Sequence, residues 1–444
     1  MRLAWPAIVS QGLATSVSLV DAWMLGRLGT DALNVVGYTS QYFQLAQAIL
    51  LGFSVACVAL MARAIGAGEP GRARHAFAAS LVLALLASLG ICAVSLGMPR
   101  ALLLVLGARP QLAELAVPYF RLTLGSSAFF ALSLTVESAF RAARNTTIPL
   151  AIAALVTAVK LGLNALLIFG ALGFPRLELV GAGIATLAAQ VIGLGLFAAI
   201  VVRLGAREAA FVRVSRADFR GLAPRVREML RVSWSAAAER LFLNSAILIY
   251  FWVLSGYGPA AVAAYTVGVR LLAFSWIPAT GISIAASTLV GQALGARDPR
   301  LAARAGWRAT RLSLLVSLLL FALFAALRLP LAESFTADPA VLAALEPFML
   351  LLGIAQPFLG VHFTLAGALR GAGDTVTPLW SAVLGNWLFR VPLALVAAKI
   401  VHAPVVWIWA TVVFDHVTRA VWLAWSFRRE RWARNLGTGV RSAA

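Results

Sequence analysis

Gly52-Phe53-Ser54-Val55-Ala56 returns later in the chain as Gly281-Ile282-Ser283-Ile284-Ala285, and that recurrence decides the fold. Ala64-Ile65-Gly66-Ala67-Gly68-Glu69-Pro70 returns as Ala293-Leu294-Gly295-Ala296-Arg297-Asp298-Pro299. Arg141-Ala142-Ala143-Arg144-Asn145-Thr146 and Pro149-Leu150 return as Arg370-Gly371-Ala372-Gly373-Asp374-Thr375 and Pro378-Leu379. Arg2 and Trp5 pair with Arg231 and Trp234. Every pair keeps one offset, 281 − 52 = 229. Residues 2–150 laid on 231–379 without a gap share about 38 identities in 149 positions. That is roughly a quarter, where an Ala/Leu-rich composition alone gives about a tenth. The chain is therefore a duplication.

What is duplicated belongs in lipid. Of 444 residues, 61% are hydrophobic and only 12% charged, with a mean hydropathy of +0.89. No water-soluble core of this size hides so much apolar surface. Apolar segments fall near 4–26, 33–62, 75–97, 113–140, 147–170, 179–202, 231–255, 260–294, 308–328, 340–369, 376–399 and 403–427. Each reaches the ~20 residues a span needs. The expected fold is thus an all-α integral membrane protein of twelve transmembrane helices. Each half has an even number of spans, so both enter the membrane in the same direction as parallel six-helix repeats. Two such bundles enclose a central cavity, which favours a transporter. The expected boundaries are 1–202 for the N-terminal bundle, 203–230 for a basic cytoplasmic linker, 231–428 for the C-terminal bundle and 429–444 for a tail. Ala217–Met229 could form an amphipathic surface helix, or the linker could lack one. Met1-Arg2 leads almost directly into the first span, so no cleavable leader is expected.

The net charge of +20 suggests nucleic acid, but its distribution does not. Basic residues gather in alternate loops: Arg63, Arg72 and Arg74, Arg141 and Arg144, Arg203 to Arg231, Arg297 to Arg311, Arg370, and Arg428 to Arg441. The opposite loops hold only Arg27, Arg100, Arg109, Arg176, Arg328 and Lys399. This asymmetry places both termini in the cytoplasm. The excess charge meets anionic lipid headgroups, and no nucleic-acid partner is expected. Cys57 and Cys92 lie in apolar stretches and are read as packing residues.

Several motifs, in order and spacing, resemble the multidrug and toxic compound extrusion (MATE) family. They are Leu19-Val20-Asp21-Ala22-Trp23-Met24-Leu25-Gly26-Arg27-Leu28-Gly29, the Gly66-Ala67-Gly68 turn, and Leu369-Arg370-Gly371-Ala372-Gly373-Asp374-Thr375 with Pro378. Asn164-Ala165-Leu166-Leu167-Ile168-Phe169-Gly170 and Val180-Gly181-Ala182-Gly183-Ile184-Ala185-Thr186 add to it. The first-helix motif looks like the DinF-type branch. The resemblance implies a monomeric antiporter of the cytoplasmic (inner) membrane. It would expel lipophilic, often cationic small molecules in exchange for H⁺ or Na⁺, with no cofactor. The wider superfamily offers an alternative, a flippase for lipid-linked precursors. That would use converging cations such as Arg121, Arg240, Arg270 and Arg390, but it gives Asp21 no purpose. No H-E-x-x-H, CxxC, serine elbow or paired catalytic carboxylates point to an enzyme.

Charge at lipid depth is costly and by default functional. Asp21 is the only acidic group in the first span, past its middle, with no basic neighbour on its own helix inside the membrane. By resemblance a first-helix aspartate carries the coupling ion. It works with fifth-helix polar residues four apart and a sixth-helix Thr, here Lys160, Asn164 and Thr186. DinF-type relatives often have Asn then Asp where this chain has Lys then Asn. One carboxylate is lost and a cation gained, which favours H⁺ over Na⁺. Asp21, Asn164 and Thr186 each lie about five to eight residues, roughly 7–12 Å, from the outer ends of their helices.

Other candidates have plainer alternatives. Tyr38, Gln41, Gln44, Glu239, Arg270 and Trp276 are expected to line the substrate cavity, although polar and aromatic residues at these depths also serve helix packing. Gly66 and Gly295 suit left-handed helix ends, followed by Pro70 and Pro299. Arg141 and Arg370 complement helix dipoles, and Asp374 precedes a helix start. These residues are expected to be structural or to form the hinge. Pro6 either bends the first helix or is tolerated in its first turn. Asp415 and Arg419, at i,i+4 spacing, are read as a local ion pair, and His362 as a helix contact.

Overall fold

Long apolar runs separated by Gly, Pro and Asp produce long helices. A computed structural model of the chain describes residues 3–203, 210–334 and 338–434. The pairing of Arg2, linker residues 204–209 and tail residues 435–444 lie outside the described residues. The first half contains α1 (Ala4–Gly26), α2 (Thr30–Gly66), α3 (Pro70–Gly97), α4 (Pro99–Val105), α5 (Pro110–Gly125), α6 (Ser127–Ala142), α7 (Thr147–Phe169) and α8 (Glu178–Arg203). The second contains α9 (Ala223–Ser255), α10 (Pro259–Gly295), α11 (Pro299–Ala326), α12 (Arg328–Glu333), α13 (Pro339–Gly371), α14 (Val376–Ile400), α15 (Val405–Arg428) and α16 (Arg431–Arg434). No strand occurs among the described residues.

Eleven of these helical stretches are long and apolar enough to cross a membrane, with α5 and α6 together forming one of them. The twelfth is α15, whose 24 residues include Asp415, His416, Arg419 and four Trp that lower its hydropathy. The twelve expected spans are therefore all present as helices. The short α4 and α12, at matching places in the two halves, were not foreseen. Their Pro99 and Pro330 sit in first turns, where a missing N–H costs nothing.

The repeat is preserved down to backbone torsions. Gly68 and Arg297 have φ of 71° and 58°, and Arg144 and Gly373 have 61° and 77°. Each pair is 229 apart. The left-handed residues are thus two positions after Gly66 and Gly295, which end their helices in ordinary geometry. In both copies the chain then bonds back: Glu69 N–H to the Ala64 carbonyl at 2.9 Å, and Asp298 N–H to the Ala293 carbonyl at 3.0 Å. Pro70 and Pro299 start the next helices. The Asp374 carboxylate accepts from Thr377 N–H at 3.0 Å and from its hydroxyl at 2.7 Å.

The chain divides into two units, Val9–Ser233 and Met1–Ile8 with Trp234–Ala444. In the first, Met61, Phe77 and Phe140 form one core with Phe197, and Leu103, Phe120 and Ile168 form another. In the second, Tyr250, Phe348 and Trp409 pack in one core, and Leu294, Leu369 and Phe427 in another.

The basic linker is more ordered than expected over its described part. Ser215 and Asp218 cap a short turn, Arg216–Phe219, and Arg74 on α3 donates to Asp218 at 3.3 Å. Helix is already continuous from Ala223, eight residues before the expected start of the seventh span. Met229 is fully buried, with Val212 and Val226 packed in the same cluster. The amphipathic stretch thus exists only from Ala223 onward, as the first turns of a span.

Candidate functional site

In the N-terminal unit two helices bring charge together. α1 carries Asp21 five residues before its end, and α7 carries Lys160 and Asn164 one turn apart on one face. The Lys160 ammonium donates to Asp21 Oδ2, and Asn164 Nδ2 donates to Asp21 Oδ1 at 2.7 Å. Both carboxylate oxygens are therefore held. The Asp21 and Lys160 side chains are 20% and 18% exposed, while Asn164 is buried. A charged pair with one open edge can exchange a partner, which a sealed pair cannot.

The fourth expected member stays apart. The Thr186 hydroxyl donates to the carbonyl of Ala182 on its own helix at 2.9 Å. Its helix nonetheless sets the site, because α8 lies hard against α7. A Cβ on Gly181 would meet the Leu167 carbonyl oxygen at 2.4 Å, closer than any side chain allows. The Gly181 position in the motif is thus a close helix contact, one turn beyond Asn164 along α7.

Tyr38 and Gln41 line a shallow pocket of about 300 Å³ on the same unit, with Leu33, Asn34, Gly37 and Leu106. Gln44 is exposed one turn further along α2. The other cavity candidates diverge. Arg270 and Trp276 are exposed on α10. Glu239 is buried, 5% exposed, and Arg370 donates to both its oxygens at 2.8 Å. Burying a carboxylate requires such a partner, and the sequence hid it because Arg370 lies 131 residues away. Arg141, the counterpart of Arg370, bonds Glu137 on its own helix instead.

Pro6 is the third residue of α1. The first four N–H groups of a helix have no partner within it, so Pro6 removes no helical hydrogen bond, as the reading of a proline tolerated in the first turn requires. The local pair expected of Asp415 and Arg419 is also replaced. Asp415 Oδ2 lies 3.9 Å from Arg390 Nη1 on α14, and Arg419 Nη2 lies 4.0 Å from Glu239. His362 Nε2 and His416 Nδ1 share a hydrogen bond at 3.0 Å.

The sequence pattern of the MatE family matches residues 6–166 and again residues 236–396, most of both halves. The chain belongs to the MatE family. A Thermotoga maritima relative described as a probable multidrug resistance protein NorM is 27% identical over 441 residues, covering 98% of this chain and 92% of the relative. A Bradyrhizobium diazoefficiens protein of the same description is 31% identical over 415 residues, covering 90% and 86%. The fold matches a crystal structure of the Vibrio cholerae MATE transporter VcmN with a TM-score of 0.90 at 22% identity, over 98% of this chain and 96% of that one. As a MatE member the chain is a multi-pass membrane transporter with twelve helices, not an enzyme.

Proposed function

We propose that this MatE protein is a secondary antiporter of the cytoplasmic (inner) membrane that exports lipophilic, often cationic small molecules in exchange for protons. Its two halves alternate access to the two sides, and both termini are cytoplasmic. The relatives described as multidrug resistance proteins support this cargo over a lipid-linked precursor.

The observation that carries the proton reading is the Lys160 ammonium seated on the Asp21 carboxylate. Two opposite charges at membrane depth are tolerable together and costly apart. Lys160 already supplies the positive charge that Na⁺ would bring, so a sodium site beside it is electrostatically poor. A proton entering from outside joins an Asp21 oxygen, neutralises it and frees Lys160. A cationic substrate held by the carboxylate then loses its counter-charge in the same step, which is antiport. When the proton leaves on the cytoplasmic side, the pair reforms.

Accumulation of a panel of cationic dyes, measured in cells with and without the protein and at varied external pH, tests the function. Expression should lower accumulation, more so as external pH falls. Equal accumulation for every dye would contradict it.

A further inference from the structure

The Asp21 site uses one half of a duplicated chain, and its cation has a counterpart in the other. The MatE pattern ends at residue 166 in the first copy and 396 in the second, an offset of 230. The pattern begins at 6 and 236 with the same offset, which carries Lys160 onto Arg390, one residue beyond Phe389, where the ungapped repeat offset of 229 puts it. Arg390 ends a π-helical stretch of α14, Val383–Arg390. Each π-turn closes one residue later than an α-turn, and such segments are frequent at functional positions. The repeat offset of 229 puts Tyr250 where the first half has Asp21, so the carboxylate is missing from its former helix. Arg390 lies over the Tyr250 ring at 4.2 Å. The carboxylate comes instead from the last span, as Asp415.

We propose that Asp415 is a second proton-binding carboxylate, paired with Arg390 in the C-terminal half as Asp21 is paired with Lys160 in the N-terminal half. This rests on the proton-coupled reading of the first site. It assigns the protein two protons for each transport cycle.

The site is built. Asp415 is 1% exposed, and a Cβ on Gly385 would lie 2.1 Å from its Oδ1. Only glycine at 385 leaves the carboxylate room. Yet its partners are loose. Asn386 Nδ2 donates to Oδ1 at 3.4 Å, and Arg390 Nη1 stands 3.9 Å from Oδ2. Arg390 has an alternative place: its Nη2 donates to the Tyr265 hydroxyl at 3.3 Å, and its face is on Tyr250. Its Nε has no hydrogen-bond partner among the described residues. The guanidinium can therefore move fully onto the two tyrosines and remain held.

That move takes one of two nearby positive charges away from a carboxylate deep in the bundle, Arg419 on its own helix being the other, and a proton can replace the lost charge. The proton joins an Asp415 oxygen, Arg390 stays charged throughout, and the return of Arg390 expels the proton. Arg419 also faces Asp415, but unlike Arg390 it is shared with a second carboxylate. That carboxylate is Glu239, 4.0 Å from Arg419 and also held by Arg370 on α13. His416 and His362, the latter also on α13, bond one another. The remaining Nδ1 of His362 has no partner among the described residues. A fixed structural pair would want short bonds and no alternative, the reverse of what Arg390 has.

Infrared difference spectra of the purified protein between about pH 8 and about pH 5 read buried carboxyl groups directly. The parent should show two protonated-carboxyl bands. Asp21→Asn should delete one and Asp415→Asn the other; Asp415→Glu, which keeps the charge should the amide misfold, should shift that second band. In proteoliposomes the H⁺-to-ethidium ratio should fall from about two to about one in Asp415→Asn. A parent band removed by Asp21→Asn, with none that responds to either Asp415 change, would overturn this proposal and leave the first site standing. No titrating band at all would overturn the first site as well.

Discussion

Lys160 on the fifth span and Asp21 on the first are joined by a direct hydrogen bond across 139 residues of sequence, with Asn164 holding the second carboxylate oxygen. The positive charge that a coupling ion would contribute is therefore already built into the protein. An imported ion at this site has only to break the pair, and a proton does so by neutralising one member. Lys160 would thus take part in choosing the ion as well as in holding the helix.

Removing the ammonium should change the pH response before it changes the cargo. Lys160→Ala leaves Asp21 with Asn164 alone, so the carboxylate should hold its proton more readily. The pH profile of ethidium export should move to higher pH, by about one unit or more. Dye binding should stay within a few-fold of the parent. An unshifted profile would return Lys160 to a packing role.

The Glu239–Arg370 pair predicts a stability effect. Breaking a buried pair by removing one partner leaves an uncompensated charge, and Arg370 is 23% exposed in its side chain. Arg370→Ala should cost about 3 kcal/mol, the lower end for such pairs. Thermal unfolding of the detergent-solubilised variant should show a clear drop in midpoint. Glu239→Gln, which keeps a hydrogen-bonding oxygen, should lose less.

Pro6→Ala should leave turnover unchanged, because a proline in the first turn of α1 costs no hydrogen bond. Dye efflux rates normalised to expression would measure this. A slowed variant would show that Pro6 acts on the conformational cycle after all.

The linker turn should loosen in acid. Burial pushes the Asp218 carboxyl up, but hydrogen bonds from the Ser215 backbone and hydroxyl and from Arg74 pull harder, and the net shift is below its ordinary value of 3.8. A carboxyl with a lowered folded-state value contributes stability that is complete above the unfolded value and lost as pH falls through the folded one. Proteolysis of the linker should therefore be constant at neutral pH and rise only below about pH 4. Ser215→Ala should raise the pH at which it begins.

The repeat and the spans were legible because each is a pattern along the chain: a fixed offset of 229, and apolar runs of bilayer length. The Asp21–Lys160 pair was legible for a different reason. Charge in lipid is scarce, which singles out Asp21, and the family resemblance together with matching depth points to Lys160 and Asn164 beside it. Where candidates were many, sequence spacing misled. Asp415 has Arg419 at i,i+4, yet it also faces Arg390 on another helix, at the end of the π-helical stretch of α14. Glu239 has Arg240 beside it in sequence, which suggests a local pair as readily as a cavity role. Its partner Arg370 comes from three spans away. The helix-ending glycines were misplaced by two residues, since Gly66 and Gly68 look alike in sequence and only backbone torsions separate them.

The most direct test of the central claim is ethidium transport in proteoliposomes, driven by an imposed H⁺ gradient or an imposed Na⁺ gradient, for the parent and for Asp21→Asn. Transport by the parent is expected on the H⁺ gradient alone. None is expected on the Na⁺ gradient, and none by Asp21→Asn on either, with that variant present in the membrane at parental levels. Sodium-driven transport by the parent, or normal proton-driven transport by Asp21→Asn, would contradict it.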